Sequence, residues 1–281
     1  MYHACLLLLL ARPFAGAGRH ARVVWFFQGS LHALGTLGRS TRLVIRLLAR
    51  TSRVPAAIAI NSEVGRQHHE QYGFRPRRWI HLPNGCDVDR FRPDESTRTR
   101  VRRELDVDDR TVVLMFIGRV HPEKGTDLLM AAADRLDVQE PTALVLVGQG
   151  TVELVAEAPV GPTRTVGLGV RDDVADLLRG ADLLVLPSRS EGTPNAVIEA
   201  MATGVPCVVT DVGDCADLVG PSGRVVPAGS VEDLSTAITA LIRVGPEERR
   251  RLGTEARGRV LTRHAPEVAR AAYRGLWDTT T

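Results

Sequence analysis

Lysine and arginine together number 36 in this chain, and Lys124 is the only lysine among them. It lies five residues after Arg119, and both follow the apolar run Thr111–Ile117, which predicts a buried strand. A guanidinium is a planar fork and an ammonium a compact point charge, so the two are not interchangeable where geometry is tight. Between a strand and a helix, the pair can converge on one polyanion, and phosphate is the usual one. The alternative is that one lysine remains by chance in an arginine-biased composition.

Two carboxylates, Glu191 and Glu199, form a second candidate pair. If residues 195–199 are helical, the two acids are separated by up to ~12 Å, at about 1.5 Å per residue. A carboxylate pair for glycoside hydrolysis needs roughly 5 to 9.5 Å, so this spacing favours contacts with different parts of one extended ligand. Each acid also has an ordinary explanation. Glu199 could be a helix-surface charge, and Glu191 a charge that is favourable to the helix dipole.

The chain contains three linked motifs, which are Gly118–Gly125, Ala181–Ser188 and Glu191–Pro206. The cationic pair lies in the first motif and the carboxylate pair in the third. The family-4 retaining glycosyltransferases of the GT-B fold have a donor-site signature that reads roughly G-R-x4-K-G, then A-D-x4-P-S, then E-G-x-P-x4-E-A-M-A-x-G-x-P. The chain closely resembles that signature in order and in spacing. Three linked motifs are a much more specific signal than a lone glycine pattern.

The resemblance implies a nucleotide-sugar donor and a role for each charged residue. Arg119 and Lys124 would hold the diphosphate and stabilise its charge as it leaves, which is electrostatic catalysis. Glu199 would accept hydrogen bonds from the ribose hydroxyls, and Glu191 would lie at the transferred sugar. The family transfers the sugar with retention of configuration and without a divalent metal. No metal ligands, and no cofactor besides the donor, are therefore expected.

Neighbours of these residues complete the implied donor site. Gly192 allows the backbone to approach the sugar closely, and the helix that begins near Asn195 offers N–H donors to phosphate oxygens. The loop Gly167-Leu168-Gly169 resembles the family segment whose backbone contacts the base. The candidate catalytic residues are Glu191, Arg119 and Lys124. The candidate donor-binding residues are Arg119, Lys124, Gly167, Leu168, Glu191, Gly192, Thr193, Pro194 and Glu199.

The acceptor side departs from the family's pattern. Many members end a strand of the amino-terminal domain with a basic side chain, usually histidine. The corresponding run Phe26–Ser30 offers Gln28 instead, and His32 follows four residues later. The residue that activates the acceptor is therefore left open.

Composition narrows the class of protein. The chain has 281 residues, 44% of them hydrophobic and 25% charged, which is typical of a globular protein of two units or one large one. Its four cysteines form no CxxC pair, so neither a disulfide framework nor a zinc site is expected, and a reducing cytoplasm is the default location. No stretch approaches the ~20 apolar residues needed to cross a bilayer. No nucleic-acid partner is expected.

Positive charge is concentrated at the amino-terminal end, where residues 1–62 contain eight arginines and no carboxylate. Five of these arginines recur at intervals of three and four, with Leu43 and Leu47 expected on another face of the same helix. Such a stripe predicts peripheral contact with an anionic membrane, for example at its inner face, at about 1 kcal/mol per basic residue. The alternative is a solvated helix face. The five residues are Arg39, Arg42, Arg46, Arg50 and Arg53.

Three short strands are expected in the first part of the chain, at residues 23–27, 56–60 and 79–82. Asn61-Ser62 can cap the helix that follows the second of them. After the third strand, Pro83-Asn84-Gly85-Cys86-Asp87 contains the tight-turn signal Asn-Gly. This segment resembles the family's P-N-G-x-D, which ends the last strand of the amino-terminal domain.

From about residue 93, strands and helices alternate, which predicts a parallel sheet covered on both faces. Ligands of such sheets bind at the carboxyl ends of the strands, where the motifs converge. The expected strands are 112–117, 144–147, one near Val166, 183–186 and 206–210. The expected helices are 125–136, 173–179, 195–202, 231–242 and 265–278.

The predicted fold class is α/β of the GT-B type, with two Rossmann-like parallel-sheet domains, the first of them incomplete. The expected domains are residues 1–92 on the acceptor side, residues 93–264 for the nucleotide sugar, and a helix in residues 265–281 that crosses back to the first domain. Met1–Ala4 resembles an interior point of the family's first domain. This resemblance predicts a chain that starts late, binds its donor weakly and transfers the sugar inefficiently.

Two functions from different classes follow. The first is a retaining, metal-independent glycosyltransferase that moves a sugar from a nucleotide sugar to a polysaccharide or a glycolipid precursor. The second is a catalytically inactive remnant that binds nucleotide sugars but lacks part of the acceptor domain. A donor-binding titration paired with a turnover assay separates the two.

Overall fold

The computed structural model describes residues 2–14, 22–29, 31 and 38–278 of the chain. It divides into two compact units. The first is drawn from Met1–Gly85, Ser190–Thr193 and Glu267–Thr281, and the second from Cys86–Arg189 and Pro194–Pro266. The assignment of residues 1–92, 93–264 and 265–281 to functional domains stays a prediction.

Strands and helices alternate along most of the described chain. The strands are β1 (Val24–Phe27), β2 (Ala57–Ile60), β3 (Trp79–His81), β4 (Val112–Ile117), β5 (Thr142–Val147), β6 (Arg164–Gly167), β7 (Leu183–Leu186), β8 (Cys207–Thr210) and β9 (Arg224–Val226). The α-helices are α1 (Tyr2–Ala11), α2 (Arg39–Arg50), α3 (Glu63–Tyr72), α4 (Glu95–Glu104), α5 (Thr126–Ala133), α6 (Thr151–Glu157), α7 (Val174–Gly180), α8 (Asn195–Ala202), α9 (Cys215–Val219), α10 (Val231–Arg243), α11 (Gly245–Arg263) and α12 (Pro266–Asp278).

Every strand expected from the sequence is present, and only β9 was not expected. Arg224 and Val225 of β9 are exposed, and the strand lies at the edge of its sheet. With one buried side chain in three residues, it has no apolar pattern that sequence reasoning could recognise.

The first unit is built on a three-stranded parallel sheet in the order β1-β2-β3. Trp25, Phe27 and Ile58 are fully buried in its core, with α2 and α3 packed beside them. On the helix α12, Leu276 is buried against Ala59 and Leu82 of the same unit. The helix α3 begins at the cap that the sequence predicted, where Ser62 Oγ accepts the N–H of Gly65 at 2.9 Å.

The cationic helix α2 corrects one expectation. Its buried face is Val44, Ile45, Leu48 and Ala49, whereas Leu43 and Leu47 are 56% and 39% exposed. In helical spacing, both leucines lie on the same stripe as the arginines, because positions i, i+3, i+4, i+7, i+8 and i+11 share one side. The exposed stripe is Arg39, Arg42, Leu43, Arg46, Leu47 and Arg50. Arg53 is exposed beyond the end of the helix.

The second unit is built on a six-stranded parallel sheet in the order β6-β5-β4-β7-β8-β9. Five of the six side chains of β4 and all four of β7 are buried, as expected for a sheet covered on both faces. From β4 the chain continues to β5 and β6 on one side and then returns to β7 on the other. The strand order therefore reverses between β4 and β7, and ligands of open parallel sheets bind at the carboxyl end of such a point.

His69 is completely buried in the first unit and stays neutral there. Its Nδ1 lies 2.6 Å from the carbonyl oxygen of Gly65, and its Nε2 lies 3.0 Å from the hydroxyl of Tyr2. A carbonyl oxygen can only accept, so Nδ1 carries the proton and Nε2 accepts from the tyrosine. The ring stacks on Phe27 with centroids 4.9 Å apart. Burial lowers the pKa of His69 to about 4.

We predict that the first unit loses stability as the pH falls from 6.5 towards 4. In this window the unfolded chain binds a proton at His69 that the folded chain does not, so the free energy of unfolding falls by at most about 1.4 kcal/mol per pH unit. Urea unfolding followed by tryptophan fluorescence reports on this unit, because Trp25, Trp79 and Trp277 all belong to it. The pH dependence should be weaker in His69→Phe and unchanged in His3→Gln, which changes an exposed histidine of the same unit. Identical pH dependence in both variants would contradict the prediction.

Candidate functional site

The loops that follow β4, β5 and β6 are joined at the carboxyl edge of the six-stranded sheet. The amide of Gly118 donates to Val147 O at 2.9 Å, and the amide of Gly148 donates to Gly169 O at 2.7 Å. Gly148 has a φ of 134°, and a Cβ at this position would overlap the carbonyl oxygen of Gly118. Only glycine permits this close approach of the loops after β4 and β5. The hydrogen bond from Gly148 to Gly169 then joins the loop after β6 to the same edge, where Arg119 lies.

Lys124 is carried by a short 3-10 turn, Pro122–Lys124, which packs against the end of β7. The turn is capped by His121, whose Nδ1 accepts the amide of Glu123 at 3.3 Å and whose carbonyl accepts the amide of Lys124 at 2.8 Å. Gly125 follows with a φ of 65°, and a Cβ there would overlap the carbonyl oxygen of Pro187. Lys124 is therefore positioned by a close backbone contact between the loops that flank the reversal of strand order.

Arg189 holds this turn from the other side. Its guanidinium donates to both carboxylate oxygens of Asp127, at 2.8 and 2.6 Å, and to Pro122 O at 2.7 Å. Its own amide donates to Glu123 O at 2.7 Å. The hydrogen bonds from Arg189 are the main reason why the pKa of Asp127 is lowered. Sequence reasoning did not identify either residue, since an isolated Arg–Asp pair 62 positions apart leaves no local signal.

Glu199 lies on α8, which begins at Asn195 as the sequence predicted. The helix follows Pro194, and no side chain caps its first turn. Glu199 is partly buried, and burial raises its pKa, while Arg90 acts in the opposite direction. Nearby, burial raises the pKa of the Cys86 thiol to about 12, with smaller contributions from Glu199 and Asp87. Glu199 is thus half-buried, with the opposite charge of Arg90 near it.

Asp87 begins the turn that carries Arg90, whereas the tight turn that the sequence predicted at Asn84-Gly85 is not formed. The carboxylate of Asp87 accepts the amides of Asp89 at 3.2 Å and Arg90 at 3.0 Å. Arg90 donates in turn to Asp172 O at 3.0 Å and lies over the ring of Phe91. Arg90 is a further charged group near Glu199 that sequence reasoning missed.

The third motif is divided between the two units. Glu191, Gly192 and Thr193 belong to the first unit, together with the segments that follow its three strands. A Cβ at Gly192 would lie 2.7 Å from the Cα of Gly29, so the two backbones are in contact. The other candidate residues belong to the second unit. They are Arg119, Lys124, Gly167, Leu168, Pro194 and Glu199.

The structure adds little on the acceptor side. Gln28 directly follows β1 and is exposed at the end of that strand. His32 lies outside the described residues. The residue that activates an acceptor stays open.

Residues 2–14, 22–29, 31 and 38–278 contain neither a cluster of metal-ligating side chains nor a membrane-spanning helix. Within these ranges, no three His, Cys, Asp or Glu side chains are close enough together to hold a metal ion. No helix in the same ranges is both long and apolar enough to span a membrane. All four cysteines are buried free thiols.

Comparison with known proteins points to one family. Residues 111–243 match the family described as Glycosyl transferases group 1. The D-inositol 3-phosphate glycosyltransferase of Geodermatophilus obscurus is 35% identical over 207 residues, which covers 66% of this chain and 45% of that protein. The D-inositol 3-phosphate glycosyltransferase 2 of Catenulispora acidiphila is 32% identical over 241 residues, covering 76% and 56%. The chain thus spans about half the length of the curated relatives it matches.

Solved structures share the fold at low identity. The Anabaena protein HepE, determined in complex with UDP-glucose, has a TM-score of 0.82 at 21% identity over 96% of this chain and 76% of that one. The sucrose-phosphate synthase of Thermosynechococcus elongatus has a TM-score of 0.78 at 21% identity, covering 94% and 69%. The expected fold class, parallel-sheet α/β of the GT-B type, is therefore confirmed.

We predict that Arg189→Ala loosens the turn that carries Lys124. Loss of its hydrogen bonds to Asp127 and Pro122 should cost about 1 kcal/mol locally, which is roughly fivefold faster amide exchange in residues 122–127. Hydrogen exchange followed by mass spectrometry measures this. Arg243→Ala is the matched control, since it removes an ion pair with Asp137 elsewhere in the same unit. Equal exchange of residues 122–127 in both variants and the parent chain would contradict the prediction.

Proposed function

We propose, from the match of residues 111–243 to the glycosyltransferase group 1 family, that this chain transfers a sugar from a nucleotide-sugar donor to a hydroxyl group of an acceptor. The observation that carries the proposal is the position of Arg119 and Lys124 on the loop that follows β4, beside the reversal of strand order between β4 and β7. Parallel sheets bind nucleotides at that point, and two cations there suit a diphosphate.

The donor diphosphate is assigned to Arg119 and Lys124, with the first turn of α8 offering further N–H donors. During transfer, the bond between the anomeric carbon and the β-phosphate oxygen breaks, and its electron pair stays on the diphosphate. The acceptor oxygen forms its new bond to the same carbon with retention of configuration, and its proton is released. The two cations stabilise the charge that develops on the leaving group. We assign that stabilisation to these side chains and to no metal ion.

The two ends of the donor are assigned to the two glutamates. Glu199, half-buried on α8, accepts hydrogen bonds from the ribose, and the backbone at Gly167 and Leu168 contacts the base. Glu191 contacts the transferred sugar, with Gly192, Thr193 and Pro194 around it. Because HepE was determined in complex with UDP-glucose, UDP and UDP-glucose are the first probes to use.

The acceptor is proposed to be a polysaccharide or a glycolipid precursor. Transfer is measured by incubating the chain with UDP- and GDP-sugars and a panel of acceptors. D-inositol 3-phosphate belongs in the panel, because the relatives are named for it. Donor binding without transfer to any acceptor would favour the alternative of a non-catalytic, nucleotide-sugar-binding chain.

Peripheral contact with an anionic membrane at the cytoplasmic face is proposed through α2. Its exposed stripe combines four arginines, Arg39, Arg42, Arg46 and Arg50, with the exposed Leu43 and Leu47, and α1 packs beside it with Leu7 and Leu10 exposed. Cations over apolar side chains suit the interface of an anionic bilayer, at about 1 kcal/mol per basic residue. Arg53 extends the charge beyond the helix.

Vesicle sedimentation tests the membrane contact. The chain should sediment with phosphatidylglycerol vesicles at low salt and stay in solution with phosphatidylcholine vesicles, since the attraction is largely electrostatic and is screened by salt. Arg42→Glu combined with Arg46→Glu should abolish sedimentation. Absence of sedimentation with anionic vesicles at low salt would indicate that this helix face is solvated instead.

We predict that Lys124→Ala and Arg119→Ala each weaken the binding of UDP or GDP. The loss of one charge-assisted contact costs about 1.5–3 kcal/mol, which is roughly a ten- to hundredfold rise in Kd. Calorimetry measures the affinity, and unfolding curves show whether the variants stay folded. Arg110→Ala, which changes a highly exposed arginine of the same unit, should bind like the parent chain. Unchanged affinity for both nucleotides in both variants would remove the diphosphate assignment.

We predict different effects for the two glutamates. Glu199→Gln should weaken binding of free UDP or GDP, because the ribose is present in the free nucleotide. Glu191→Gln should leave the affinity for the free nucleotide nearly intact and lower the affinity for the sugar nucleotide or its transfer. Calorimetry with UDP and UDP-glucose compares the two variants. If both variants lost the same affinity for the free nucleotide, the assignment of Glu199 to the ribose and Glu191 to the sugar would be ruled out.

A further inference from the structure

The carboxyl ends of the three strands of the first unit meet in one hydrogen-bonded network. After β2, Asn61 donates from Nδ2 to Asn84 Oδ1 at 3.0 Å, and Asn84 follows β3. Asn84 donates from Nδ2 to Thr193 O at 3.1 Å. The hydroxyl of Thr193 donates back to Asn61 O at 2.8 Å, which closes the ring. After β1, the amide of Gly29 donates to Asn61 Oδ1 at 3.4 Å.

The network needs amide side chains at both positions. Asn84 accepts from Asn61 and donates to a carbonyl at the same time, which neither a carboxylate nor an apolar side chain can do. An aspartate in its place would present a carboxylate oxygen to the carbonyl of Thr193. Asn61 is 6% exposed, so loss of its partner leaves a buried polar group unsatisfied.

Close backbone packing surrounds the network. A Cβ at Gly65 would lie 2.7 Å from Gly29 O, and one at Gly192 would lie 2.7 Å from Gly29 Cα. The segment Ser190–Thr193 has neither helix nor strand structure, so ladder hydrogen bonds do not order it. The network supplies hydrogen bonds to this irregular segment from the rigid ends of β2 and β3.

We propose that Asn61 and Asn84 are positioning residues, which hold Ser190–Thr193 and thereby set the location of Glu191. The inference rests on the proposed function, in which Glu191 contacts the transferred sugar. The asparagines themselves touch neither nucleotide nor sugar. They act through the carbonyl and hydroxyl of Thr193, two residues after Glu191.

Binding measurements separate positioning from simple stability. Asn84→Asp keeps the shape of the side chain and removes the donor to Thr193 O. It should leave the affinity for UDP within about twofold of the parent chain and weaken UDP-glucose by about tenfold, the cost of one lost buried hydrogen bond. Ser52→Ala is the matched control, because it removes a buried hydroxyl that bonds Ala49 O and the amide of Arg75 in the same unit. It should change neither affinity selectively.

A double-mutant comparison tests whether Asn84 acts through Glu191. If it does, Asn84→Asp should add no further loss of UDP-glucose affinity in a Glu191→Ala background. Hydrogen exchange gives a readout without ligand. Exchange in residues 190–193 should accelerate in Asn84→Asp and Asn61→Asp and stay unchanged in Ser52→Ala.

The outcomes separate a failure of the proposed function from a failure of the positioning role. A parent chain that binds neither UDP nor UDP-glucose overturns the proposed function and this inference with it. A parent chain that binds both, with parallel losses in Asn84→Asp and Ser52→Ala, overturns the positioning role alone. Additive losses in the double variant, or unchanged exchange in residues 190–193, do the same.

Discussion

Contact between backbones at the carboxyl edge of the six-stranded sheet is the constraint on which the candidate donor site depends. A Cβ at Gly125 would overlap Pro187 O, one at Gly148 would overlap Gly118 O, and one at Gly167 would overlap the carbonyl of Thr151. The first two contacts join loops that follow neighbouring strands, and the third joins the end of β6 to the start of α6. The contact at Gly125 leaves little freedom for the turn that carries Lys124. Arg189 adds hydrogen bonds to Asp127 and Pro122 beside these close backbone contacts, which only glycine permits.

The division of the third motif changes how the site is understood. A contiguous run of sequence supplies Glu191 to one compact unit and Glu199 to the other. Two residues after Glu191, Thr193 is hydrogen-bonded to Asn61 and Asn84 at the strand ends, whereas Glu199 is carried by a regular helix. Their surroundings differ accordingly, since an irregular segment needs external hydrogen bonds and a helix satisfies its own backbone.

Sequence reasoning succeeded where local patterns decide structure and missed what distant contacts decide. The apolar runs located β4 and β7 to the residue, and Ser62 took the predicted cap role, whereas the predicted turn at Asn84-Gly85 is not formed. Asn84 was recognised only as part of a turn signal, because its partner Thr193 lies 109 positions away. On α2, the leucines assigned to another face share the exposed stripe with the arginines.

The sequence by itself determined eight of the nine strands in the described residues, the parallel α/β class and the residue types at the edge of the second sheet, since periodicity and glycine placement are local properties. It did not reveal α1, α4, α6, α9 or α11. It also contained the linked motifs that imply a nucleotide-sugar site. Only the tertiary structure decided the strand order that reverses between β4 and β7, the pairing of Arg189 with Asp127, and the unit to which Glu191 belongs. These depend on which distant segments pack together, and packing is a property of the whole folded chain.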